Sequence, residues 1–274
     1  MSQMTNEEKV KAASDWWSTS IIDVQRGAIG IRGYAIQDLI GKVSFPEMIW
    51  LMLKGDLPSR AQAQLLEAAM VPCVDHGPQA PSCAIARMAV TCGLPVNGAL
   101  ASAINALDDI HGGPAQRCME IYNEIDAEAG ADGDLLAATA AVLARSEKYM
   151  PGFGHRWHPI DPRVAPLFSL VDKAVADGTI SGRFAAIGRA VEVVLKEKKG
   201  RTIPMNIDGV TAAIFCELGF PPELGRGIFI LARSVGLLAH AWEQKQAGVR
   251  IKGPLPKEIP YTYTGPAPRE LPER

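Results

Sequence analysis

The chain has 274 residues, of which 47% are apolar, and a formal net charge of -2. Such a length and apolar content supply a full buried core, which excludes general disorder. The near-neutral balance, with Lys and Arg spread along the chain, excludes the basic stripe that a phosphate backbone requires, so nucleic acid is not an expected partner.

The first residues, MSQMTNEEKVKAASDWW, are polar and acidic where a secretory leader would be charged and then apolar. No apolar run reads as a membrane span, and a cytoplasmic protein without membrane contact is expected. Strand-like alternation is confined to about 21–31, a short hairpin. From there the pattern is helical. Pro46 opens a helix over 45–53, Ser59 caps 60–70, and 84–91 ends at Gly93. An alanine-rich helix over 97–110 breaks at His111-Gly112-Gly113-Pro114, where glycine past one helix and proline opening the next mark a boundary. Further helices are predicted over about 133–148, 162–176, 182–198, 209–218 and 223–246. The segment 253–274 carries six prolines and reads as an extended tail, loose or laid across a neighbouring subunit. The fold class is mainly α. The five cysteines, Cys73, Cys83, Cys92, Cys118 and Cys216, show neither CxxC spacing nor a disulfide rhythm, and are expected to be reduced and mostly buried.

The densest chemistry lies in PGFGHRWHPIDPR, residues 151–163. Its prolines exclude regular helix and leave the N–H groups near Gly152 and Gly154 available to a ligand. A solvated connector is the bland alternative. His155, His158 and Asp161 also read as HxxHxxD, but Pro159 and Pro162 prevent the helical spacing that brings ligands to one face, and no metal is expected. His111 precedes a helix N-terminus, whose positive end keeps imidazole neutral and able to donate to a developing oxyanion. A capping role is its alternative. Asp208, before the apolar run VTAAIF, is either an N-cap or a carboxylate whose pKa is raised by its surroundings, as a base for a carbon acid needs. Arg233 interrupts the apolar helix ILARSVGLLAHAW, so a structural or substrate carboxylate should meet it. His240, further along, reads as a satisfied core histidine. No phosphate-binding loop, GxSxG elbow, HExxH or dinucleotide fingerprint is present. Two histidines, an aspartate and several arginines gathered from separate loops suit carbon-acid chemistry on a polycarboxylate.

IHGGP around His111, PGFGHRWHPIDPR around His155 and NIDGV around Asp208 resemble the signature segments of the citrate synthase superfamily, in the family's order. GAIGIRGYAIQDLIGKVSFPEMIWLMLKGDLP and ELGFPPELGRGIFILARSVGLLAHAWEQ are similar to its flanking segments. The resemblance implies a citrate synthase-like fold: residues 1–155 in a large helical domain, 156–230 in a small helical domain, and 231–274 returning to the large domain. It implies that His111 holds the enol of acetyl-CoA, that Asp208 moves the methyl proton, and that His155 acts at the oxaloacetate carbonyl or citryl hydroxyl. By the same carry-over His76, Arg163, Arg233 and Arg250 bind substrate, Arg250 from a partner subunit. Phe153, Gly154 and Arg156 would meet coenzyme A.

Within the superfamily, DHGP after position 74, GHR at 154–156 and the short N-terminal part are similar to citryl-CoA lyases and to the lyase domain of ATP-citrate lyase. The expectation is cleavage of citryl-CoA to acetyl-CoA and oxaloacetate. The alternatives are a citrate or 2-methylcitrate synthase, or a silent acyl-CoA-binding homologue. No permanent cofactor is implied, only a coenzyme A thioester as substrate or product. A homodimer or higher oligomer with a shared site, and a citrate-CoA ligase partner, follow from the same resemblance.

Overall fold

The computed structural model describes residues 4–145, 149–156, 158–251 and 258–272. The expected helix end at 146–148, Trp157 and parts of the tail lie outside them. The described residues form two compact units, one of Met1–His76 with Leu107–Val235, the other of Gly77–Ala106 with Gly236–Arg274.

In the first unit, α1 (Asn6–Trp16) opens on a reciprocal Thr5/Glu8 capping box, a signal present in the sequence as TNEE. A three-stranded antiparallel sheet follows, β1 (Ile22–Gln25), β2 (Ala28–Ile31) and β3 (Tyr34–Ala35), with Ile22 opposite Ile31 and Gln25 opposite Ala28. The short α2 (Ile36–Leu39) leads into α3 (Phe45–Lys54) and α4 (Arg60–Met70), which begin on Ser44/Glu47 and Ser59/Gln62 capping boxes. The reciprocal bonds satisfy otherwise orphaned N–H groups, which is why both starts are legible in the sequence.

The remaining helices of this unit are α7 (Pro114–Ala129), α8 (Leu135–Arg145), α9 (Val164–Ala176), α10 (Arg183–Lys199) and α11 (Ile207–Glu217). The central one is α11, packed against α4, α7, α9 and α10. Every residue from Ile207 to Cys216 is buried except Asp208. Its own Ile214 and Phe215, with Met119, Tyr122 and Ile125 of α7 and Ile187 of α10, are all less than 2% exposed. Each such side chain contributes roughly 1.5–3 kcal/mol of burial, so this core can hold a half-buried carboxylate at its edge.

The second unit contains α5 (Pro81–Thr91), packed on α6 (Val96–Ile104). The expected helix over 97–110 therefore stops six residues early. Beyond it the chain winds into a turn where Asp108 bridges Gly112, whose φ of 107° only glycine adopts freely. The long α12 (Pro222–Gln246) begins in the first unit and ends in the second. Among the described residues it is the one helix long and apolar enough to span a membrane, against the sequence expectation, but 44% of its most apolar stretch is buried within the protein. His240, half-buried on its last turns, has Nδ1 3.2 Å from Arg87 of α5, and Arg87 also pairs with Glu243. The described tail residues 258–272 carry no helix or strand and are exposed. All five cysteines are thiols, and all but Cys92 are buried.

Candidate active site

Two chain segments are sewn together by backbone bonds. Gly154 N–H donates to the Pro204 carbonyl at 2.7 Å, Asn206 N–H donates to the Gly152 carbonyl at 2.9 Å, and Phe153 bridges Met205. Asn206 Nδ2 adds a bond to the Gly154 carbonyl at 2.6 Å. Glycine is needed at both approaches: a Cβ on Gly152, where φ is 82°, would stand 2.8 Å from Cys118 Sγ and from Gly209 Cα. One on Gly209 would stand 2.4 Å from the Gly152 carbonyl oxygen. Through this stitching the loop carrying His155 is fixed to the first turn of α11, which carries Asp208.

Asp208 is not the N-cap. That role belongs to Asn206, whose Oδ1 accepts from the N–H groups of Asp208 at 2.9 Å and Gly209 at 3.3 Å. The capping work being done by its neighbour, the Asp208 carboxylate is left to the site. Burial pushes its pKa up to about 6, against the opposing pull of the Arg163 and Arg233 guanidinium groups. A carboxyl group in that range exists in both forms near neutrality, as proton exchange with carbon requires.

Three imidazoles lie close to one another. The rings of His76 and His155 lie 5.5 Å apart edge to face, His155 and His158 4.5 Å apart, and His76 and His158 6.4 Å apart. His155 Nδ1 accepts the backbone N–H of His158 at 3.1 Å, so in the neutral ring the proton sits on Nε2. Burial, then the charges of His158 and Arg163, hold the His155 pKa below its ordinary value. Burial and the two arginines do the same to His76. His158, which the sequence presents only as part of a weak metal pattern, thus orients His155 through its main chain.

Asp161 is the carboxylate of this loop. Its fully buried carboxylate accepts from Arg163 Nε at 2.9 Å and Nη2 at 2.8 Å, and from the N–H of Ile207 at 3.0 Å. Burial works to raise its pKa, but the Arg163 fork and the N–H groups of Arg163 and Ile207 overcome that and hold it at about 2. Arg163 therefore meets an internal carboxylate with two of its donors, while Nη1 lies 3.5 Å from the Pro72 carbonyl. The signal for this pair is in the sequence, since the two-residue spacing in DPR is that of a local carboxylate–guanidinium fork. Arg233, 5% exposed, donates from Nε to the Cys73 carbonyl at 2.9 Å and lies over the Phe229 ring at 4.9 Å. No carboxylate among the described residues pairs with it. Its charge acts on His76, His111 and Asp208 alike, making it the common cation of the cluster. His111 is half-buried before Gly113 and Pro114 of α7, and burial and Arg233 depress its pKa.

Beside the loop an open groove of about 550 Å³ is lined by Tyr149, Phe153, Gly154, His155, Arg156, Lys199 and Arg201, among others. Phe153 itself is buried, which limits its offer to a ligand; Arg156 is exposed. Lys199 and Arg201, at and just beyond the end of α10, carry no signal in the sequence because only folding brings them to this groove. Arg250 belongs to the second unit, where it is exposed beside Ile251, whose N–H donates to the Thr91 carbonyl at 2.9 Å.

A mainly α fold here presents a carboxylate of raised pKa on a buried helix, with a buried cation acting on it and on two histidines. The family described as citrate synthase, C-terminal domain, matches residues 10–70 and 59–254. The chain belongs to the citrate synthase family. It is 30% identical over 218 residues to the putative citrate synthase 2 of Mycobacterium tuberculosis, covering 77% of this chain and 54% of that protein. With the citrate/2-methylcitrate synthase of Bacillus subtilis it shares 30% identity over 206 residues, 74% of this chain and 53% of the relative. It spans about half the length of these curated relatives. Its fold is also that of the citryl-CoA lyase from Hydrogenobacter thermophilus, with a TM-score of 0.83 and 32% identity over 93% of this chain and 97% of that one.

Proposed function

We propose that the chain cleaves citryl-CoA to acetyl-CoA and oxaloacetate. The observation that carries this reading is the Asp208 carboxyl, buried to a pKa of about 6 and sharing the Arg233 cation with His76 and His111. The 32% identity to a citryl-CoA lyase over nearly all of that chain supports the lyase direction.

In this reading the bond between the carbinol carbon and the thioester methylene breaks, and its electron pair enters the enol of acetyl-CoA. His111 donates to the enol oxygen. Asp208 delivers a proton to the methylene carbon, which becomes the methyl group. His155 bears on the hydroxyl that becomes the oxaloacetate carbonyl. With Nδ1 engaged by His158 N–H, its resting form donates from Nε2, which stabilises the carbonyl; taking up the hydroxyl proton requires that ring to exchange its tautomer. Arg233 and His76 hold substrate carboxylates, joined by Arg163 from its pairing with Asp161. The cations Arg156, Lys199 and Arg201 would face coenzyme A phosphates in the groove beside Gly154 and Phe153. Arg250 is proposed to complete the site of a second copy in a homodimer.

Purified protein supplied with citryl-CoA should release oxaloacetate and acetyl-CoA, with loss of turnover in Asp208→Ala. Citrate synthase or 2-methylcitrate synthase activity is the second reading, favoured by the curated relatives. Rapid release of free CoA from acetyl-CoA and oxaloacetate would establish it in place of a lyase. Absence of turnover in both directions would leave a silent binder.

A further inference from the structure

The turn that carries His111 has little holding its tip. Ile110 is 96% exposed, and the side chains of Asp108 and Asp109 are exposed at 81% and 85%. Leu107, 5% exposed, anchors the start of the turn in the core. The exposed tip beyond it has polar restraints. Asp108 bridges Gly112, the Asp109 N–H donates to Asp108 Oδ1 at 2.9 Å, and Arg226 of α12 spreads its guanidinium over both acids. Nη1 donates to Asp108 Oδ1 at 2.8 Å and Nη2 to Asp109 Oδ1. Arg226 is mostly buried, and its Nε has no partner among the described residues, so one donor is given up to keep the fork on the two carboxylates.

The same face of α12 carries two more residues of the site. Arg226, Phe229 and Arg233 follow at i, i+3 and i+7, one stripe along the helix. Phe229 lies under the turn, since a Cβ on Gly112 would come 3.3 Å from its Cε1. Arg233 lies over the same ring and reaches the Cys73 carbonyl. One rigid helix thus holds the His111 turn by a latch and a floor, and supplies the cation of the cluster one turn further on.

We propose that Arg226 is a positioning residue which, through Asp108 and Asp109, sets the place of the His111 ring relative to the rest of the site. The inference rests on the reading that His111 holds the enol oxygen. Ion pairs with such exposed acids add little to global stability. Placement is different: a displacement of about 1 Å at a reacting group costs on the order of 100-fold in rate. The latch therefore acts on turnover far more than on folding.

The test compares Arg226→Gln, Arg226→Lys, the double change Asp108→Asn with Asp109→Asn, and a triple variant that joins Arg226→Gln to that double change. Steady-state turnover of citryl-CoA, thermal midpoints and the imidazole NMR resonances of His111 in substrate-free protein are read on each. Arg226→Gln and the double Asp change should each lower kcat by about 10- to 100-fold, with KM within about 3-fold and little change in midpoint. The triple variant should be no worse than either, because all three residues make one device. Arg226→Lys should recover part of the loss. In Arg226→Gln the His111 resonances should shift while those of His155 and His158 stay in place. Full turnover with unmoved His111 resonances, or losses that multiply in the triple variant, would overturn the latch. Should the wild type prove inactive on citryl-CoA, that reading fails alone, and the His111 resonances still decide the latch.

Discussion

Replacing Asp208 by Asn should make the protein more stable while nearly abolishing turnover. The folded-state pKa of about 6 lies above the ordinary 3.8, so folding disfavours the ionised carboxylate. At about 1.4 kcal/mol for each pKa unit, the difference corresponds to about 3 kcal/mol lost from stability once both states are ionised. The sign follows from the raised pKa. Below pH 3.8 the group is protonated in both states and costs nothing; the penalty grows as pH rises from there through about 6 and is then constant. Asn, neutral throughout, escapes it. The variant should exceed wild type by about 3 kcal/mol at pH 7, or about 5–10 °C in thermal midpoint, narrowing to about 0.5 kcal/mol at pH 4. Urea unfolding of both proteins from pH 4 to pH 8 at fixed ionic strength measures this. The kcat should meanwhile fall about 10²- to 10⁴-fold, as for loss of a general acid–base group. An Asn variant no more stable than wild type at pH 7, or a stability difference independent of pH, would refute the argument that burial perturbs this carboxyl.

Gly152→Ala should cost about 2–4 kcal/mol in urea unfolding, since the new methyl meets Cys118 and Gly209 at 2.8 Å and φ is 82°. Glu217→Ala should cost about 1–3 kcal/mol, because this one carboxylate accepts from Ser181 Oγ and from the N–H groups of Gly182, Phe184 and Ala185, capping α10 from the end of α11. Joint neutralisation of Arg156, Lys199 and Arg201 should raise KM for a coenzyme A thioester about 10-fold or more, with kcat kept within about 3-fold and a much smaller effect on a pantetheine thioester. Asp161→Asn should destabilise at pH 7 and lose its effect as pH falls from 3.8 towards about 2, the opposite pH course to Asp208, because its folded pKa is held low.

Much of this protein is written locally. Caps at Ser44 and Ser59, proline at the first turn of α3, and glycine past helix ends act within a few residues, so a linear reading places those helices and the break before Pro114. The catalytic candidates His111, His155 and Asp208 are legible for a related reason, each being a titratable group at a predicted helix break. The hairpin extends to a third strand, and α6 ends at Ile104, because the partners that decide those boundaries stand elsewhere in the chain.

What the sequence by itself determined is the helical class, the identity of the reactive side chains and, by its segments, the citrate synthase resemblance. The tertiary structure alone decided their states and restraints. It makes Asn206 the cap and so leaves Asp208 to the site, gives Arg163 an internal carboxylate, sets the His155 tautomer, and lays Arg226 across the two acids before His111. Capping and periodicity depend on neighbours within about one turn. Desolvation and charge pairing depend on whatever atoms the fold brings close, and Arg226 stands 118 residues from Asp108 along the chain.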